Sequence, residues 1–308
     1  MSGKRRSMAN NSVTYRFGTM KYLFIMLAGI AGIVSGCSEK KTFTDTESAL
    51  ILSGRVALEG MPETPDAKAE PVRSEPLPAT DLGVYVLTVL GDTPTDFETT
   101  SWKNEAFVSD AGGNIGGGSV TLRTGTAYDI YAYAPRSEGA GDAHRIPVRH
   151  GEDILWACTP GVVATAGGTK ARLEFRHCGA QIGFRLKASD GSDLSGAKLE
   201  VGGFYRDGTL DAETGKLSVA GASFRTTAAP DGTKTNILIS GGSMDFAVTV
   251  TDVPGRSGTF TGSFSRTLQA GKSYLYDVTV NMDGAPITFT GQVEDWVDVE
   301  ASGPLPVE

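Results

Sequence analysis

Apolar and polar residues alternate along most of this chain of 308 residues. In residues 182–186, 244–250 and 274–280, every second position carries a large apolar or aromatic side chain. A period of two indicates strands with one buried face and one face in water. No segment shows a convincing helical period. The pattern therefore predicts an all-β protein.

Residues 81–90 (DLGVYVLTVL) are apolar almost without interruption, which predicts a central strand of a sheet. Clusters of Gly, Asp, Asn and Pro between the strand segments supply turns, and the glycine run at 112–118 predicts a flexible loop. A new series of hairpins begins near Cys178. We therefore expect two β-sandwich domains, at residues 49–177 and 178–308.

The first strand is expected at residues 49–58, and a segment rich in Pro, Glu and Ala follows it at 59–81. That segment holds no pattern of large aliphatic residues, so we expect an exposed loop. A loop of this length inside a compact domain is usually functional or disordered.

An apolar segment at residues 22–34 precedes all of these strands, with Lys21 in front of it. Its length suits the core of a signal peptide and falls short of the roughly 20 residues that span a bilayer. We therefore expect a signal peptide over residues 1–36. Met20 is in a suitable position to be the true start codon. The arginines before it then either come from a start codon assigned too far upstream or form the basic N-terminal region of the signal peptide.

The apolar segment ends in Ser35, Gly36 and Cys37, which resembles the lipobox of bacterial lipoproteins. This ending predicts that Cys37 carries lipid and that the polar residues 37–48 form a tether to the folded domains. The alternative is an ordinary secretory signal that is followed by a cysteine by chance.

The composition narrows the class of partner. A formal net charge of −8 argues against nucleic acid as a partner, because phosphate binding needs clustered Lys and Arg.

The two remaining cysteines, Cys158 and Cys178, would lie outside the cytoplasm, where a disulfide is allowed. Counting outward from Gly168 places Cys158 opposite Cys178 if the hairpin has no bulge. A slip of one residue would separate their side chains, so two buried free thiols are the alternative.

No catalytic motif is found: the chain lacks G-x-S-x-G, H-E-x-x-H, C-x-x-C and a P-loop. We therefore expect that the protein is not an enzyme and that it binds no cofactor and no metal. His144 and His150 flank a loop at a spacing that matches no standard metal site, which predicts a surface pair. His177 continues an apolar face and is expected to be a hydrogen-bonded core histidine.

Acidic residues surround Trp296: Glu294, Asp295, Asp298 and Glu300. A pair of carboxylates can hydrolyse a glycoside, and an aromatic ring among acids can stack on a sugar. The simpler interpretation is that these charges keep a strand edge soluble.

The order of the motifs is more specific than any one of them. After the lipobox, first strand and Pro- and Arg-containing loop come the strand at 127–135, the pair Phe175 and His177, and a closing block at 268–296 that ends in Trp296. This order resembles the fimbrillin family, the Mfa-like subunits of type V pili in Gram-negative bacteria.

The resemblance implies two tandem transthyretin-like β-sandwich domains, no catalysis, and export as an outer-membrane lipoprotein. In polymerising subunits of that family, a protease cuts after an Arg or Lys behind the first strand. That strand leaves, and a strand from a neighbouring subunit takes its place. The partners it implies are other fimbrial subunits, the outer membrane, and ligands on host or bacterial surfaces.

Carried over to this chain, the resemblance makes Arg73 the first cleavage candidate and Lys68 the second, whereas Arg55 lies inside the strand and is a poor one. The side chains expected to fill the groove are Leu50, Leu52, Val56 and Leu58. No Arg-Ala or Arg-Thr step closes the first strand directly, so an unprocessed anchor or tip subunit is an alternative to a stalk subunit.

A surface glycan-binding lipoprotein of a polysaccharide-uptake system is the alternative from another functional class. Such proteins are also lipid-anchored β-sandwiches, but they tend to expose several Trp and Tyr side chains. The three tryptophans here are scattered along the chain, which argues weakly against a sugar platform. An enzyme is the least favoured hypothesis, because the motif search is empty.

Overall fold

The protein is described here by a computed structural model that covers residues 46–58 and 74–296. This part of the chain contains strands, turns and loops and no helix, so the predicted all-β fold is confirmed and no helix in it is suited to cross a membrane. Its strands are β1 (Glu47–Ala57), β2 (Ser74–Pro76), β3 (Asp81–Leu90), β4 (Thr93–Pro94), β5 (Trp102–Ser109), β6 (Asn114–Gly116), β7 (Thr121–Arg123), β8 (Ala127–Ala134), β9 (Ile146–Arg149), β10 (Leu155–Val163), β11 (Thr169–His177), β12 (Ala180–Ala188), β13 (Lys198–Leu210), β14 (Leu217–Ala228), β15 (Asp231–Ile237), β16 (Ser243–Thr251), β17 (Phe260–Thr267), β18 (Lys272–Val280) and β19 (Thr288–Asp295).

Ten strands from the first part of the chain form a sheet that closes into a ring. The order around it is β11, β10, β8, β3, β5, β6 and β1, with β2 and β7 also on β1 and β4 on β3. Strand β1 runs parallel to β11, and this pairing closes the ring. The enclosed core includes Val84, Phe107, Ile130, Leu173 and Phe175.

Strand β3 is buried on both faces, which explains its continuous apolar sequence. Val84 and Val86 point into the enclosed core, whereas Tyr85 and Leu87 belong to a second cluster outside the ring. That second cluster also contains Leu210 of β13. The prediction of a central strand is confirmed, since β3 pairs with β8 on one side and β5 on the other.

The later strands form two sheets that pack face to face. One has the order β15, β12, β18, β19, and the other has the order β14, β13, β16, β17 with β9 also on β13. Their shared core contains Phe184 of β12, Val201 of β13, Phe246 of β16 and Tyr276 of β18. The alternation predicted for 244–250 and 274–280 is confirmed, because the expected apolar residues of both segments are buried.

The sheet changes between β11, which ends at His177, and β12, which begins at Ala180. Strand β9 is the exception, because it lies within residues 49–177 and pairs with β13. Two tandem domains divided at residue 178 therefore stay a prediction.

Short strands are the features that the pattern missed. The segment expected to be an exposed loop contains β2 and the fully buried Leu77, and the glycine run contains β6. The first strand begins at Glu47 and ends at Ala57, not at the expected bounds of 49–58. A strand of three residues has too few side chains to show a period of two. Such a strand forms because its backbone pairs with a neighbouring strand, which the sequence pattern does not report.

Candidate functional site around strand β1

Strand β1 is paired along both of its edges. On one edge it runs parallel to β11, from Leu50 beside Thr169 to Val56 beside Phe175. The other edge is shared by three short antiparallel strands, which are β7, β6 and β2 in order along β1. From Leu50 to Val56 it therefore has neighbouring strands on both edges, like a central strand rather than an edge strand.

The inner face of β1 fills a groove in the first core. Leu50, Leu52 and Val56 are buried there, with exposed fractions of 8%, 3% and 4%. Leu58 is different, because it follows the end of the strand and is only half-buried. The expectation that Leu58 fills the groove is therefore wrong, since the strand stops one residue before it.

The groove narrows at Gly54. A Cβ atom on this residue would lie 3.0 Å from Leu77 Cδ2, 3.0 Å from Phe175 Cε2 and 3.1 Å from Ile115 Cδ1. The backbone amide of Gly54 donates to the carbonyl of Gly113 at 2.8 Å, and its carbonyl accepts from the amide of Leu77 at 3.2 Å. No side chain fits at this position without movement of its neighbours.

Gly113 brings a second backbone close to β1. Its φ of 77° lies in the left-handed region, and a Cβ on it would lie 2.4 Å from the Gly54 carbonyl oxygen. Glycine is the residue that accepts both conditions without strain. The glycine run therefore serves as a close-packed wall of the groove.

The end of the groove near residue 48 is polar. The buried Ser48 hydroxyl donates to the Thr165 carbonyl at 2.7 Å, and it lies 2.7 Å from Thr169 Oγ1. Thr169 Oγ1 also accepts from the Thr165 amide at 3.1 Å. An occupant without a hydroxyl here would leave the Thr165 carbonyl and Thr169 Oγ1 each short of one partner.

Among the basic residues near β1, Arg55 is held in place. It lies on the outer face, where its Nη2 donates to the Ser74 carbonyl at 2.5 Å. A protease needs an unpaired, extended substrate, so Arg55 is a poor cleavage site, as expected. Cys37, Lys68 and Arg73 lie outside the described residues.

Two of the three family-marker residues, His177 and Trp296, meet at the sheet boundary. The buried ring of Trp296 stacks on His177, with the ring centroids 3.7 Å apart and the planes 18° apart. His177 Nδ1 lies 2.8 Å from Asp153 Oδ1, so His177 is the hydrogen-bonded core histidine that was expected. Phe175 is fully buried in the wall of the groove. With 5% of its surface exposed, Trp296 is not available to stack on a sugar.

The other two histidines do not form the expected surface pair. His144 is exposed, but the ring nitrogens of His150 are buried, and its ring lies 5.2 Å from Phe204 and 5.1 Å from Phe224. Burial, and after it the charge of Arg206, lower the pKa of His150 to about 4. The prediction failed for His150 because the partners on β13 and β14 are distant in sequence.

The disulfide between Cys158 and Cys178 is not formed. Both thiols are free. Strands β10 and β11 pair Trp156 with Arg176, and the Cys178 amide donates to the Ile154 carbonyl at 2.7 Å. This register places Cys158 four residues away from the position opposite Cys178. The count assumed a hairpin centred on Gly168, whereas the pairs between β10 and β11 are centred on residue 166.

Comparison with known proteins identifies the class of this molecule. A model of the fimbrillin-like family matches residues 79–296, which is most of the chain. The chain belongs to the fimbrillin-like family. Fimbrillin-like proteins are structural and non-enzymatic, which confirms the expectation that it is not an enzyme. Family membership supports a fimbrial subunit at the cell surface, in association with other such subunits.

Solved structures agree on the fold. A candidate cell adhesion protein from Bacteroides ovatus is similar at 18% identity and a TM-score of 0.61, over 82% of this fimbrillin-like chain and 99% of that one. Another from Bacteroides uniformis is similar at 21% identity and a TM-score of 0.56, over 82% of this chain and 99% of that one. A search of curated proteins found no match.

Proposed function

We propose that this chain is a structural subunit of a type V fimbria, exported as an outer-membrane lipoprotein and assembled by strand exchange. The observation that carries the proposal is the double pairing of β1, directly before the segment that contains Lys68 and Arg73. Removal of β1 would leave an apolar groove and four strands with unpaired backbone groups. A strand from another subunit satisfies both needs at once.

A cut behind β1 would not release the strand by itself. Leu50, Leu52 and Val56 each gain about 1.5 to 3 kcal/mol from burial, and the backbone pairing adds to this. Release into water loses all of these contacts. Exchange therefore needs a competing strand and proceeds slowly in its absence.

The sequence of β19 supports this strand as the donor that one copy of the chain supplies to the groove of the next. Residues 50–56 read LILSGRV and residues 287–293 read ITFTGQV. Both segments have apolar residues at their first, third and seventh positions and glycine at the fifth. Gly291 therefore takes the place of Gly54, which is the position where the groove admits no side chain.

Strand β19 is also held less firmly than β1. It ends the four-stranded sheet, with β18 as its only strand partner among the described residues. Val293 is 50% exposed and Phe289 is half-buried. A strand that buries less surface costs less to detach, so β19 suits the role of donor to a neighbouring copy.

The cleavage step is tested with the purified full-length chain and an Arg- and Lys-specific protease. The doubly substituted chain with Arg73→Ala and Lys68→Ala should stay uncut behind β1 and monomeric, whereas the unsubstituted chain should form fibres visible by electron microscopy. A control with Lys103→Ala and Arg145→Ala, two exposed residues elsewhere, should behave as the unsubstituted chain. Fibres from the Arg73 and Lys68 variant would show that this cut is not the switch.

The donor step is tested in trans. A synthetic peptide of residues 285–296 should bind the cut subunit and displace β1, which mass spectrometry detects. The same peptide with Gly291→Leu should bind about 5- to 150-fold more weakly, because overpacking costs about 1 to 3 kcal/mol. The control peptide carries Gln292→Leu on the opposite face. Equal binding of all three peptides would rule out the glycine match.

The lipid anchor is tested at Cys37. The full-length chain expressed in a Gram-negative host should incorporate labelled palmitate and fractionate with the outer membrane. Replacement of Cys37 with Ser should abolish the label and leave unprocessed precursor. Unchanged labelling would contradict the anchor without affecting the strand-exchange proposal.

A further inference from the structure

Three metal-ligating side chains from two distant loops meet away from the β1 groove. His144 lies between β8 and β9, and Asp211 and Glu213 lie in the turn between β13 and β14. His144 Nδ1 is 3.2 Å from Asp211 Oδ1 and 3.8 Å from Glu213 Oε2. One ligand atom from each residue falls within 4.8 Å of the other two.

We propose that His144, Asp211 and Glu213 bind a first-row divalent transition metal, with Zn²⁺ as the best fit. Zinc ligands lie at about 2.0–2.2 Å, so two ligands of a tetrahedral ion are about 3.4 Å apart. The two distances from His144 Nδ1 lie on either side of this value. Small rotations of the exposed Glu213 side chain bring it to the ideal separation.

The ligand types select among metals. An imidazole nitrogen suits zinc, copper, nickel and iron, whereas Ca²⁺ and Mg²⁺ prefer shells made entirely of oxygen. Two carboxylates neutralise the charge of a divalent ion. The exposed fractions of the His144 and Asp211 side chains are 42% and 31%, which leaves space for water as a fourth ligand.

The backbone around the three ligands is held by the surrounding fold. The Ala212 amide donates to the Ala143 carbonyl at 2.8 Å and joins the two loops directly. Trp156 Nε1 donates to the Ala212 carbonyl at 2.6 Å. The His144 ring packs edge-on against Phe97, with centroids 5.4 Å apart. A site built on fixed backbone loses little freedom when the ion binds.

Bound metal would brace the two parts of the fold. His144 follows a strand of the closed sheet, and Asp211 and Glu213 follow a strand of the later sheets. An ion that binds only the folded chain raises the free energy of unfolding, and above its Kd this gain grows with the logarithm of the ion concentration. The inference does not depend on strand exchange, because none of these residues contributes to the β1 groove.

Isothermal titration of the full-length chain, purified without a polyhistidine tag, with Zn²⁺ tests the proposal. We expect one ion per chain at micromolar or tighter affinity, and the visible spectrum of bound Co²⁺ should be that of a tetrahedral ion. His144→Ala, Asp211→Asn and Glu213→Gln should each weaken binding at least about tenfold. Asp142→Asn is the matched control, because Asp142 Oδ1 accepts from the His144 amide but is not a ligand.

Thermal unfolding provides a second readout. At equal zinc concentration, the Tm should rise for the unsubstituted chain and the Asp142 control, and should rise less for each of the three ligand variants. The metal-free Tm of each variant reports whether it folds. The proposal is overturned if the unsubstituted chain binds no zinc, or if folded His144→Ala binds it with unchanged affinity. In either case His144 and the two carboxylates contact one another without holding an ion.

Discussion

Gly54 of β1 lies against the ring of Phe175 of β11, so closely that a Cβ atom would be 3.0 Å from Phe175 Cε2. This contact fixes the position of β1 along its groove. A slip of two residues keeps the inner face inward but brings Leu52 or Val56 to the narrow point, where no side chain fits.

Substitution of Gly54 with Leu tests this constraint. We expect a loss of about 1 to 3 kcal/mol in the free energy of unfolding, because the new side chain overpacks a closed site. Ser53→Leu places the same side chain on the exposed outer face and should change stability by less than about 0.5 kcal/mol. Urea unfolding followed by fluorescence measures both. Similar losses in the two variants would mean that the narrow point does not exist.

The aliphatic anchors of β1 are tested by truncation. Leu52→Ala should lower the free energy of unfolding by about 2 to 5 kcal/mol, because it opens a cavity beside a residue that is 3% exposed. Ile51→Ala removes a similar side chain that is 46% exposed and should cost less than about 1 kcal/mol. If the two losses are equal, burial is not what holds β1 in place.

Much of the fold could be predicted from the sequence because long strands carry their own period. The regular burial of 244–250 and the doubly buried β3 could both be read from side chains alone. The register of β10 on β11 could not, because only Leu155 and Trp156 of β10 pair with β11, whereas β10 pairs with β8 from Leu155 to Val163. Local pattern contains no information about such a three-strand fit.

The same distinction applies to the candidate sites. Leu50, Leu52 and Val56 could be identified as groove residues from alternation, but Gly54 needed the positions of Leu77 and Ile115. The approach of His144 to Asp211 spans 67 residues of chain, and no motif spacing encodes it. The sequence did indicate that these three residues lie near the surface, since His144, Asp211 and Glu213 all flank turn segments.

His150 should make stability dependent on pH. Its pKa is about 4 in the folded chain and about 6.5 when unfolded, because burial disfavours the charged ring. The folded chain therefore binds fewer protons than the unfolded chain between these values. Stability from this group is complete above pH 6.5 and is lost as the pH falls towards 4, by up to about 3 kcal/mol.

Urea unfolding at several pH values in this window isolates the His150 contribution. His150→Phe places an apolar ring between Phe204 and Phe224 and should lose less stability on acidification than the unsubstituted chain. His144→Gln, a change at the exposed histidine, is the control and should keep the full dependence. Parallel curves for the unsubstituted chain and His150→Phe would contradict the assignment.

The two free cysteines should differ in reactivity. Burial raises the pKa of the Cys178 thiol to about 12, and it also raises the pKa of the half-buried Cys158. The thiolate is the reactive form, so iodoacetamide should label Cys158 slowly and Cys178 not at all in the native chain. Both should react in urea without reductant, as mass spectrometry of the peptides reports. A Cys158–Cys178 disulfide would instead protect both under these conditions.

The position of β1 in the chain also determines when it can fold. The side chains of Ser48 and Thr169, which meet in the closed sheet, are separated by 121 residues. Contacts between residues so far apart in the sequence form slowly, because a long loop must close before they stabilise the fold. Synthesis of the intervening chain alone takes roughly 6 to 24 s at 5–20 residues per second. Strand β1 is made before all four of its partner strands, and until β11 has been made its apolar face is open to any chaperone that recognises extended chains.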